Sequence, residues 1–146
     1  MKYILVIMAS VVLLVSFTSC QKKTIPEGEY SFTFVNTTGL QMTPITIYYE
    51  IVESTDEYVI IGNSYQDTLY KDGPNITGTI TYYGSIPNQG RNTIFNPFQI
   101  TGIYDRSKGI YFIKGTFVSK IIIPNPEEER TDTIDTSGTF EMKSVF

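Results

Sequence analysis

After residue 27, apolar and polar positions alternate with a period of two over one short stretch after another, and no stretch there has helical spacing. Tyr30, Phe32 and Phe34 share one face, with Ser31 and Thr33 on the other. Ile45, Ile47, Tyr49 and Ile51 oppose Thr46, Tyr48 and Glu50. Successive side chains of a strand point to opposite sides of a sheet, so this alternation is what a strand with one wet face requires. The pattern predicts further strands at Tyr58–Ile61, Thr68–Tyr70, Asn75–Tyr83, Pro97–Tyr104, Gly109–Ile123 and Thr133–Val145. Turn chemistry separates them, at Lys71-Asp72-Gly73-Pro74, Pro87-Asn88-Gln89-Gly90, Asp105-Arg106-Ser107-Lys108-Gly109 and Pro124-Asn125-Pro126. About eight strands with short connections predict a single all-β domain over residues 28–146, an antiparallel meander closed as a barrel, with a β-sandwich as the alternative.

Four of these strands carry glycine between apolar or threonine positions: Ile76-Thr77-Gly78-Thr79-Ile80, Ile100-Thr101-Gly102-Ile103-Tyr104, Ile113-Lys114-Gly115-Thr116-Phe117 and Thr136-Ser137-Gly138-Thr139-Phe140. In each, the glycine falls on the face of the residues two positions away. Glycine weakens a strand interior and belongs where backbones bend or approach closely. Four of them facing inward predict a strongly coiled sheet closing over a small core. Gly115-Thr116-Phe117 and Gly138-Thr139-Phe140 also resemble strings found in small calycin-like (lipocalin-like) lipoproteins of Gram-negative bacteria. That resemblance spans roughly residues 98–146 and implies a fold and a location, not an activity.

The first twenty residues follow a different rule. Lys2 supplies a positive start, Tyr3 to Phe17 is an almost unbroken apolar run, and Thr18-Ser19 leads into the chain's single cysteine. The run is shorter than the ~20 residues a helix needs to span a bilayer, and the layout is that of an export signal over residues 1–19. Phe17-Thr18-Ser19-Cys20 resembles a bacterial lipobox. The resemblance implies that Cys20 is lipidated through its sulfur, becomes the mature N-terminus and holds the protein on a membrane. Residues 20–27 then read as a lipidated tether. Two or three acyl chains anchor durably where one does not, since each buried methylene contributes about 0.8 kcal/mol. The expected address is the cell envelope, on the periplasmic side of the outer membrane.

Composition narrows the chemistry. The net charge of −4 at pH 7 argues against nucleic acid, whose binding draws on clustered Lys and Arg. The chain has no histidine, which removes the usual general base and the commonest metal ligand. With the only thiol consumed by lipid, Ser-His-Asp, Cys-His and zinc-His centres are excluded, and no cofactor is expected. Paired carboxylates remain. Glu50 is the mid-strand candidate for a carboxylate-dependent glycan hydrolase, while Asp56-Glu57 and Glu127-Glu128-Glu129 read as solvated loop charge without EF-hand order.

Binding is the stronger expectation. Tyr48-Tyr49 and Tyr82-Tyr83 each place one ring on either face of a strand, and exposed tyrosines stack on sugars or anchor partners. Gly109–Ile123 is apolar on both faces, so Phe112 on its outer side joins Tyr48 and Tyr83 as a candidate contact. The sequence therefore points to a non-enzymatic binding or accessory module. Its partner would be a small apolar ligand, a glycan or another envelope protein, with a fimbrial or adhesin-type subunit as a third class.

Overall fold

The computed structural model describes residues 24–39, 43–62, 65–82, 85–88, 91–95, 97–125 and 130–146. Among them there is no helix. The strands are β1 (Gly28–Thr38), β2 (Ile45–Ser54), β3 (Tyr58–Ile61), β4 (Asp67–Asp72), β5 (Asn75–Ile80), β6 (Ser85–Asn88), β7 (Arg91–Phe95), β8 (Phe98–Ser107), β9 (Ile110–Asn125) and β10 (Arg130–Ser144). All pairings are antiparallel, in the order β10-β1-β2-β3-β4-β5-β8-β9, and β10 pairs with β9 as well as with β1. That second pairing closes the ring. The protein is an eight-stranded, calycin-like barrel, and closure removes the edges that a sandwich would leave.

The eight strands expected from alternation are the eight barrel strands. The sequence reading missed the β6–β7 hairpin, which interrupts the meander between β5 and β8. It pairs with the far end of β9 through Ile94↔Ile122 and Phe95↔Ile121. The predicted strand through Tyr83 ends at Ile80, and the Pro87-to-Gly90 turn signal lies where this hairpin reverses. Pro87 suppressed the strand reading of β6, yet proline is tolerated on an edge strand, where no ladder bond is asked of it.

Burial follows the alternation. Phe98, Ile100, Gly102 and Tyr104 of β8 point inward, while Gln99, Thr101 and Ile103 face water. Phe32, Phe34, Phe98, Phe117 and Phe140 occupy the interior, with ring centroids 4.8 Å apart for Phe34–Phe98, 5.2 Å for Phe98–Phe117 and 5.4 Å for Phe32–Phe140. Each fully buried ring contributes about 1.5–3 kcal/mol, and edge-to-face contacts among them add to that.

Glycines make room for those rings. All four predicted glycines face inward, and three stand opposite a large side chain in the ladder: Leu69↔Gly78, Phe140↔Gly115 and Phe117↔Gly138. Phe140 also reaches past Gly115 to Gly102, where an added Cβ would lie 2.9 Å from its Cζ. Gly102 and Gly115 face each other across β8 and β9. A Cβ on Gly115 would collide with the Thr101 carbonyl oxygen and sit 2.5 Å from the Gly102 Cα. Backbone does not yield there as a flexible side chain would.

The domain begins earlier than residue 28. Ile25 is 1% exposed and belongs to the core, so residues 24–27 are not a free tether.

Replacing Gly115 by alanine should cost about 1–3 kcal/mol in chemical denaturation by overpacking. The neighbouring outward change Thr116→Val should stay within about 0.5 kcal/mol. Equal midpoints for the two variants would mean that the β8–β9 approach is looser than described.

Candidate functional site

Gly102 stands opposite Gly115, and Gly78 and Gly138 lie on the next inward row, two residues away, so the outward residues beside all four also fall into rows. Thr77, Thr101, Thr116 and Thr139 form one outward row across β5, β8, β9 and β10. The adjacent row is Thr79, Gln99, Val118 and Ser137, continuing to Thr38 on β1. Neighbours within a row stand about 4.8 Å apart, one strand spacing. All are exposed except Ser137, which is half-buried.

The second row floors an open cleft of about 700 Å³ at the end of the barrel where β1 finishes, with Pro97, Lys120, Asp135 and Thr136 around it. One wall is fixed by hydrogen bonds. β1 has an extra residue between Asn36 and Thr38 relative to β10. The bulge turns Thr38 so that its hydroxyl accepts from the Ser137 N–H at 3.0 Å and lies 2.8 Å from the Ser137 hydroxyl. The buried Thr136 hydroxyl donates to the Thr38 carbonyl at 2.9 Å. Lys120 and Asp135 approach to 3.8 Å at the rim, both well exposed, so their attraction is screened and adds little rigidity. Exposed Gln99, Thr79 and Lys120 present donors and acceptors, and Val118, 52% exposed, presents apolar surface.

The sequence-derived candidates lie elsewhere. Tyr48 is 59% exposed on the outer face of β2, beside Glu29 and Glu50. Phe112 is half-buried on the outer face of β9, where the Lys114 ammonium sits 4.5 Å from its ring centroid. The two share one row, Phe112↔Lys143↔Ser31↔Tyr48, three strand spacings or about 14 Å apart. Neither lines the cleft. Tyr83 and Cys20 lie outside the described residues. Glu50 is exposed and directly opposite the exposed Glu29 in the β1–β2 ladder. Asp67 is a structural acid: it accepts from the Thr81 N–H at 2.6 Å and the Thr81 hydroxyl at 2.9 Å. Among the described residues, no group of three or more acids is placed to hold a metal ion.

The cleft residues were not singled out from the sequence, although a signal was present. That signal covers Thr79 and Ser137, which stand beside Gly78 and Gly138 and are sent outward when the glycine points in; Gln99 and Val118 stand beside no glycine. What the sequence does not give is the register that brings these four together.

The opposite end of the barrel is tied down by tyrosines. Tyr30 donates to the Pro26 carbonyl at 3.0 Å and Tyr104 to the Thr24 carbonyl at 3.2 Å. The Phe146 ring meets Tyr30 edge-on at 5.7 Å. Tyr49, paired with Tyr30 across the β1–β2 ladder, donates to the Thr81 carbonyl at 3.2 Å. Burial pushes the Tyr30 and Tyr49 phenols well above the ordinary value near 10, with Tyr104 adding to the first shift and Asp67 to the second.

No known protein family matches the chain, and neither a curated protein nor a solved structure does.

The raised phenols make the fold sensitive to alkali. Their contribution is complete below pH 10 and is lost as pH rises from there through the native values, because the unfolded chain releases these protons first. Denaturation midpoints should be flat from neutral pH to about 9 and then fall. The double variant Tyr30→Phe/Tyr49→Phe should fall less steeply above pH 10, and parallel profiles would contradict the assignment.

Proposed function

We propose that this chain is a lipid-anchored module of the bacterial cell envelope, held through Cys20 on the periplasmic side of the outer membrane. In this reading it binds a partner rather than transforming a substrate. The observation that carries the binding reading is that the large open cleft lies outside a barrel whose interior is occupied by phenylalanine rings. A calycin-type chamber for an apolar ligand has little space among those rings. The partner we favour is a glycan. A sugar presents hydroxyls and C–H faces in close alternation, and the cleft offers hydroxyls, an amide and a Lys–Asp pair beside Val118, Pro97 and threonine methyls. Anchoring is supported by the lipobox-like Phe17-Thr18-Ser19-Cys20 and by the absence of any other thiol in the chain.

Two measurements test the two halves. In a Gram-negative host, the parent should take up labelled palmitate and sediment with membranes, while Cys20→Ala should appear in the soluble fraction. A Cys20→Ala protein that stayed with membranes through high-salt and carbonate washing would contradict the anchor. For binding, the barrel domain is titrated with a panel of neutral and acidic oligosaccharides by calorimetry. Val118→Arg should weaken the best binder by about tenfold or more, the equivalent of 1.4 kcal/mol. Unchanged affinity would move the site away from the cleft, and no binding across the panel would remove the glycan reading.

A further inference from the structure

We infer that the barrel stands on the bilayer with one particular end down: the end where both termini meet rests at the lipid headgroups, with Phe146 in contact with them, and the cleft faces away. This rests on the anchor at Cys20 proposed above and adds the surface that meets the lipid. Only Gln21, Lys22 and Lys23 separate Cys20 from Thr24, so the Cys20 Cα lies at most about 14 Å from the Thr24 Cα even along a fully extended chain. No slack follows. Ile25 is buried, and the Thr24 and Pro26 carbonyls are held by Tyr104 and Tyr30. A tether that short cannot reach round to the far end of the barrel, because Val118 lies eight residues along β9 from Ile110, about 26 Å of strand.

The surface at this end suits a headgroup layer more than a hydrocarbon one. Val145 is 50% and Phe146 61% exposed. The Val145 N–H donates to the Glu29 carbonyl at 3.1 Å, and the Phe146 ring leans on Tyr30 and Tyr111, so these two apolar residues are held in place beside the emerging N-terminus. At this end stand Glu27, Glu29, Glu53, Asp56, Glu57, Asp72 and Asp105 against Lys71, Arg106, Lys108 and Lys143, and the tether itself carries Lys22 and Lys23. Charge of both signs, close to balance, keeps this surface hydrated and opposes deep insertion. Contact is therefore set by the anchor and by the aromatic tip.

The chain has no tryptophan, so Phe146→Trp and Val118→Trp each introduce a single tryptophan, one at each end, that is excited selectively at wavelengths beyond the absorption of the tyrosines. The full-length lipidated variants are reconstituted into zwitterionic phosphatidylcholine vesicles carrying a nitroxide on the lipid headgroup, and the vesicles are floated before measurement. Phe146→Trp should lose most of its emission, while Val118→Trp should stay near its unquenched intensity. Val145→Trp, read the same way, repeats the test without disturbing the Phe146–Tyr30 contact. Protein that does not float with the vesicles overturns the anchor and the orientation together. Protein that floats but is quenched equally at both ends, or more at Val118→Trp, overturns the orientation alone.

Discussion

An eight-stranded barrel has little interior, and five phenylalanines must share it with a ring of isoleucines. Strands this coiled can hold large rings only if something opposite them is small. Here the small partner is glycine: Gly115 beneath Phe140, Gly138 beneath Phe117, and Gly102 at the far reach of the Phe140 ring. The arrangement cuts both ways. The rings cover glycines that would otherwise leave a strand weak, and the glycines let the β8 and β9 backbones approach more closely than a Cβ would allow. Both the packing of the core and the closure through β9–β10 follow from that exchange.

The same exchange organises the outside. With inward glycines on β5, β8, β9 and β10 shared between two neighbouring rows, Thr77, Thr101, Thr116 and Thr139 fall into register on the outer face between those rows. A barrel filled with rings keeps little interior for a ligand, so recognition moves to the wall. The long β9–β10 pair runs beyond the point where β8 stops pairing, at Gln99↔Val118, and the cleft opens there. The bulge at Thr37 stiffens its edge by turning Thr38 onto Ser137.

Much of this was legible in the residues. Alternation located all eight barrel strands, and the glycine motifs indicated closure and the inward face, because both are local consequences of a two-residue period. What was not legible depended on pairing. Ser85-Ile86-Pro87-Asn88 has no strand signature of its own and pairs with β7, which in turn pairs with the stretch of β9 beyond β8. Ile25 looked like part of a polar leader, and only the tyrosines that hold its neighbours reveal it as core. Tyr48 and Phe112 were singled out by type, and the structure puts them in one row but away from the cleft. Thr79, Gln99 and Val118 lie on three separate strands and become one surface only through register.

Phenylalanine rings lying over glycines in the barrel interior can be read out by nuclear Overhauser contacts. Strong contacts are expected from the Phe140 ring protons to the Hα protons of Gly102 and Gly115, and from the Phe117 ring to Gly138 Hα, with those glycine protons shifted upfield by the ring currents. Glycine Hα shifts at ordinary strand values, with no ring contacts, would mean that the rings do not fill the interior and that the barrel is hollow where it is described as packed.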